Sequence, residues 1–247
     1  MKQNHTFTAA LSAIALALAA GSAHAAAIDV TGATLAGDAQ VAGGQLVMTT
    51  SATFASGNQD DYPLPAGARN VSGNDPLATS APGGLEDHVG LTGQYTALNP
   101  DMANGQYAYE GSGASLSFNA AAGSALTFKW DLDTLETTGD PLVADAAFLV
   151  VDGQVQWLGN ALDATTATTG DWAATTGWLD GQFTFTTSGA HTVSFGIVDV
   201  GQYEVTSALT IGDVAVNLSA VPESSTLALM GAGLVALLAL QRRRRDA

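Results

Sequence analysis

No cysteine occurs in the sequence, and basic residues are almost as scarce. The first absence excludes thiol nucleophiles, thiolate metal sites and disulfide staples, which a domain of this size does not need if it builds a sufficient core. The second is uneven along the chain. Of seven Lys and Arg, Lys2 stands at the start and Arg242, Arg243, Arg244 and Arg245 at the end, leaving Arg69 and Lys129 for residues 26–220. Against them stand 21 of the 23 acids, so this body carries 2 − 21 = −19. With almost nothing to neutralise phosphate, it is not a nucleic-acid-binding protein, and it repels anionic lipid. A Gly-x-Ser-x-Gly nucleophile elbow is also missing, and no segment between the two ends repeats its apolar residues with the 3.6-residue period of a helix.

Both ends read as targeting segments. Met1 to Ala25 has a basic start at Lys2, an apolar run over Ala9–Ala20 and the small-x-small triplet Ala23-His24-Ala25. That order of parts predicts a secretory signal helix cleaved so that the mature chain begins near Ala26. Residues 221–247 end the chain with Val221-Pro222-Glu223-Ser224, an apolar run from about Leu227 to Leu240, and the four arginines. About fourteen apolar residues are short for a membrane span of roughly 17–25, but extension through Ser224–Thr226 and snorkelling arginines make one feasible. The arginines would hold that end in the cytoplasm and place the body outside.

Between the ends the signals are those of strands. Ile28–Val30 and Gln45–Phe54 favour strands, with Gly43-Gly44 as a turn. Residues 56–105 hold five of the seven prolines and read as long loops on a single domain. Ala125–Leu132 alternates, with Leu126, Phe128, Trp130 and Leu132 on one face and Thr127, Lys129 and Asp131 on the other. Ala146–Val151 is continuously apolar, as in a central strand, and Asp152-Gly153 predicts a tight turn into Gln154–Leu158. Gln182–Thr187 and His191–Val198 read as a hairpin closed by Ser188-Gly189-Ala190. In the last strand Leu209 and Ile211 are out of phase with Val214 and Val216, so either the strand flips faces or a bulge at Gly212-Asp213 absorbs the slip. Many short strands with glycine-rich turns predict an all-β antiparallel sandwich over residues 26–220.

The tail, from Val221-Pro222-Glu223 through the apolar run to Arg242–Arg245, resembles the PEP-CTERM sorting signal of Gram-negative bacteria, with Ser224 where that pattern usually has a second proline. The resemblance implies a partner, an exosortase in the inner membrane, that cleaves near the motif and passes the body to the cell surface or extracellular matrix. An anchor that is never cleaved is the alternative. The segments around Glu110-Gly111-Ser112, Phe128-Lys129-Trp130, Phe148–Gly153, Phe183-Thr184-Phe185, Val193–Asp199 and Ser207–Val214 resemble the jelly-roll body frequent in such proteins, and related jelly rolls often bind carbohydrate and carry a structural Ca2+.

Several residues are candidates for a site. Asp131, Asp133 and Glu136 at a strand end could surround Ca2+, which favours oxygen ligands; a solvated strand end is the plainer reading. Asp213 beside the bulge and Asp29 form a second calcium candidate on the jelly-roll analogy. Glu86-Asp87-His88 lacks a second histidine at ligand spacing and reads as a loop cluster. Trp172 and Trp178, in a Thr/Gly-rich region, are the candidates for stacking on sugar rings, or else they pin their loops, whereas Trp130 belongs to the core. The expectation is an exported, non-catalytic envelope or matrix protein associated with extracellular polysaccharide, with a secreted polysaccharide hydrolase as the alternative. Intact-mass measurement of the mature protein should find an N-terminus near Ala26 and a C-terminus near Val221. Retention of Arg245 would contradict processing.

Overall fold

The computed structural model describes residues 25–53, 69–136, 139–201, 205–217, 231–234 and 242. The expected signal segment lies outside these residues except for Ala25. So do Val221, Pro222, Glu223 and Ser224 of the sorting motif and Arg243–Arg245; residues 231–234 and Arg242 are helical. Among the described residues no helix is long and apolar enough to cross a membrane.

The body, His24–Ser219, is one compact unit and it is all-β. Its strands are β1 (Ala25–Ala27), β2 (Thr34–Ala36), β3 (Ala39–Ala42), β4 (Gln45–Thr49), β5 (Leu77–Ala78), β6 (Ala108–Ala120), β7 (Ala125–Thr134), β8 (Ala146–Val151), β9 (Gln154–Asn160), β10 (Thr166–Ala167), β11 (Ala174–Thr175), β12 (Leu179–Thr184), β13 (Gly189–Val200) and β14 (Ser207–Asn217). One sheet runs β10-β11-β7-β14-β4-β3, with β12 also on β7 and β1 also on β14. The other runs β2-β6-β13-β8-β9, with β5 also on β6. Every pairing is antiparallel.

The two sheets pack face to face as a β-sandwich. Alternation decides which side chains meet. Leu126, Phe128, Trp130 and Leu132 of β7 and Leu209 and Ile211 of β14 face Leu116 of β6, Leu149 of β8 and Val193, Phe195 and Ile197 of β13. Phe128 and Phe195 meet edge to face across the sandwich at 4.9 Å. The predicted bulge is present: pairing with β7 slips between Gly212 and Ala215, Asp213 adopts a left-handed φ of 51°, and Val214 and Val216 return to the core. Gly43-Gly44 and Asp152-Gly153 form the two predicted turns, each with positive φ at both residues.

The second sheet is buried on its outer face as well. Phe148 and Val150 of β8 and Val198 and Val200 of β13 point away from the sandwich into a second core with Leu85, Val89, Leu91 and Leu98. These come from the proline-rich region expected to be long loops, whose described residues are mainly irregular, carry a short helix, α1 (Leu85–His88), and lie across the sheet. Gly111 and Gly113 of β6 make room: a Cβ would come within 2.9 Å of Leu85 Cδ2 and 2.8 Å of Val89 Cγ1, respectively. Burial on both faces explains the continuously apolar β8.

Two expectations need correction. The hairpin expected between Gln182–Thr187 and His191–Val198 does not form, because β12 pairs with β7 in one sheet while β13 lies between β6 and β8 in the other. Phe185 is buried where the chain crosses, beside Phe118, Phe183 and His191. Alternation identifies a strand, not its partner. At the N-terminus the strand is Ala25–Ala27 rather than Ile28–Val30, because Asp29 accepts from Thr31 N–H at 2.9 Å and caps a 3-10 turn.

Buried carboxylates tie the connections to the sandwich. Asp38 accepts hydrogen bonds from Thr49, from the N–H groups of Val71 and Ser72 and from the Ser72 hydroxyl. Burial nevertheless holds its carboxyl above the usual range. Glu136 accepts from Asp145 N–H at 3.3 Å. Burial, and then the Asp145 charge, push Glu136 up to about 9, against the hydrogen bond. The unfolded chain releases this proton near the ordinary glutamate value, so the contribution is full below about pH 4.5 and is lost as pH rises towards about 9. Urea unfolding at about pH 5 and about pH 9 should show stability falling with pH, and Glu136→Gln should flatten the fall by up to about 1.4 kcal/mol per pH unit. An unchanged slope would contradict this assignment.

Candidate functional site

The outer face of the β7–β14–β4 sheet is polar where the other sheet is covered. Lys129, Asp131 and Asp133 alternate with inward-facing residues of β7 and therefore share this face. Register sets a row across it: Asp180 of β12 lies opposite Lys129, and Lys129 opposite Gly212 of β14. With Ile211 opposite Leu46, Gln45 of β4 closes the row on the far side of Gly212. Glycine in this row leaves a gap between a lysine and a glutamine.

That gap is the floor of a cleft of about 260 Å3 lined by Gln45, Lys129, Trp178, Gly212 and Asp213. A Cβ at Gly212 would lie 3.3 Å from Gln45 Nε2 and 3.5 Å from Trp178 Cη2, so the missing side chain creates the space. Trp178 enters from the turn before β12 and is 47% exposed although it lies against the sheet. The bulge brings Asp213 to the rim. An accessible indole beside a lysine, a carboxylate and an amide offers a flat apolar surface next to hydrogen-bond donors and acceptors.

The structure separates the other candidates. Trp172 is half-buried beneath the Arg69 guanidinium, which lies 4.9 Å from its ring centroid, and Arg69 also donates to the Asp171 carbonyl. It pins a loop, which was one of its two expected roles. Asp131 shares the cleft's sheet face and accepts from Thr175 Oγ1 at 2.6 Å and Thr176 Oγ1 at 3.2 Å. Burial pushes Asp133 up, Thr175 opposes this by hydrogen bonding, and the Asp131 charge adds to it. Glu136 does not join them; it is buried with Asp145. Asp29 is occupied with Thr31, and its carboxyl is held below the usual range by those hydrogen bonds.

The first set is therefore divided, whereas the pairing of Ala27 with Ala215 and the bond from Ile28 N–H to the Val214 carbonyl bring Asp29 and Asp213 beside each other. Among the described residues no group of three or more His, Asp or Glu side chains is placed to hold a metal ion. Glu86 and Asp87 serve α1 and its surroundings: buried Glu86 accepts from Leu98 N–H at 2.9 Å and Asp87 from Gly83 N–H at 2.7 Å.

Sequence reasoning reached Trp178 and Asp213 but treated them as parts of two different sites, and it missed Gln45, Lys129 and Gly212. Lys129 had one signal, its rarity as a cation in an acidic body; Gly212 had its place at the bulge. Compared with known proteins, the chain matches no family model and no curated protein. Gly212→Ala should keep stability within about 0.5 kcal/mol of the parent, because the nearest atom belongs to a flexible glutamine. A crystal structure of the variant should show the cleft floor filled; an undisturbed cleft would contradict the role given to Gly212.

Proposed function

We propose that this protein is exported and sorted through its PEP-CTERM-like tail, and acts in the cell envelope or extracellular matrix as a non-catalytic, polysaccharide-associated protein. One observation carries the binding part: the exposed Trp178 over a glycine-floored cleft with Lys129, Asp213 and Gln45 around it. Pyranose rings present C–H faces that stack on indole and hydroxyl edges that exchange hydrogen bonds with lysine, carboxylate and amide groups. The cleft's modest volume suits one ring of a chain rather than a large ligand, for which pockets run to roughly 300–1,000 Å3.

The jelly-roll reading of the body is supported by its strand order. Of the eight principal strands, β4-β14-β7-β12 and β6-β13-β8-β9 form the two sheets, and successive strands alternate between them except in the β8–β9 hairpin. Two Greek keys folded together have this order. The export and sorting part rests on the order of parts at the two termini: a signal-like start, then a Pro-Glu motif, an apolar run and an arginine cluster. Ca2+ has less support: Asp29 and Asp213 come together, but among the described residues no third His, Asp or Glu joins them.

Affinity electrophoresis through gels containing polysaccharide should retard the protein, and Trp178→Ala should abolish the retardation without lowering the melting temperature. Equal retardation of the variant would contradict the reading. Release of reducing sugar from the same polysaccharide would replace it with a hydrolase.

A further inference from the structure

We infer that the Trp178 cleft selects a cationic amino sugar, a hexosamine unit with a free amine, over neutral and acidic sugars. This rests on the saccharide-binding reading above and adds the charge of the ligand. The body carries −19, so at long range it attracts polycations and repels uronic acid polymers. Locally the balance has the same sign. The sheet face around the cleft presents Asp131, Asp133, Asp180 and Asp213 against one cation, Lys129.

That cation stands across from an acid. Asp180 stands opposite Lys129 on the same face of an antiparallel pair, where Cβ atoms are about 4.5–5.5 Å apart. Asp213 is the carboxylate at the cleft rim, and with Asp180, Asp131 and Asp133 it outnumbers the single lysine there. It is exposed, and its backbone adopts a left-handed conformation with φ of 51°. Asparagine and glycine fit that conformation at least as well, so local folding does not demand a charge there. The indole contributes in the same direction, because its π face attracts an ammonium group. A sugar ring stacked on Trp178 would bring its amino substituent to Asp213 and leave hydroxyls to Lys129 and Gln45.

The test compares three probes of similar length on the full 247-residue chain in detergent: glucosamine oligomers, N-acetylglucosamine oligomers and galacturonic acid oligomers. Titration calorimetry at mildly acidic pH keeps the glucosamine amines protonated. Glucosamine oligomers should bind at least about tenfold more tightly than N-acetylated ones, and uronic acid oligomers most weakly, with the preference fading as salt screens it. Asp213→Asn, which suits the left-handed backbone, should reduce the glucosamine-to-N-acetylglucosamine affinity ratio about tenfold at unchanged melting temperature. Lys129→Gln should raise it.

An unchanged ratio in Asp213→Asn, or uronic acid oligomers binding most tightly, would overturn the inference. If all three oligomers bind alike and Trp178→Ala loses them all, saccharide binding stands and charge selection falls. If Trp178→Ala binds as the parent does, the saccharide reading itself falls, and the inference with it.

Discussion

Burial on both faces of β8 and of the end of β13 beside it is the constraint on which the rest of this structure depends. The inner face of their sheet supplies half of the sandwich core, and the outer face is sealed there by α1 and the surrounding residues through Leu85, Val89, Leu91 and Leu98. Two apolar layers on one sheet require close approach, and Gly111 and Gly113 allow it. They also require that the covering segments be held. Asp38 ties down residues 71 and 72, and Glu86 anchors the backbone at Leu98. Carboxylates are costly inside a protein; donors surround Asp38, whereas Glu86 keeps its Oε2 without a hydrogen-bond partner among the described residues.

One sheet being covered, the other presents the polar face. Along β7 inward apolar residues alternate with outward polar ones from Leu126 to Asp133, and in β14 the bulge shifts the phase of the alternation. The bulge is therefore more than an accommodation of register. It turns Asp213 towards the rim of the cleft whose floor is the preceding glycine, and it leaves Val214 and Val216 in the core. Trp178 completes the site from a loop that rests on this face, so fold and candidate site meet at a single irregularity in one strand.

Much of the sandwich was legible in the sequence because its signals are local. The alternation of Leu126–Leu132, the apolar β8, the turn at Asp152-Gly153 and the phase slip at Gly212-Asp213 all appear where they were expected. Pairing was less legible, since strand periodicity says nothing of the partner; β12 and β13 alternate as hairpin arms would and yet enter different sheets. The cover over the second sheet was hidden by its prolines and glycines, which look like loop although Leu85, Leu91 and Leu98 are wholly buried. The cleft was hidden for a further reason: Gln45, Lys129, Trp178 and Gly212 come from four separate parts of the chain, and only the register of three strands brings them together. The acids at Asp131, Asp133 and Glu136 mislead in the opposite sense, being near in sequence but divided between the sheet surface and the buried Asp145 network.

The central claim is that the Trp178 cleft is the surface that meets saccharide. Chemical-shift mapping with a glucosamine oligomer tests it most directly, residue by residue. The account predicts that the Trp178 indole N–H and the amides of Lys129, Gly212 and Asp213 shift together with one saturation curve. Shifts confined to the covering residues 77–105 with Trp178 unmoved would contradict it.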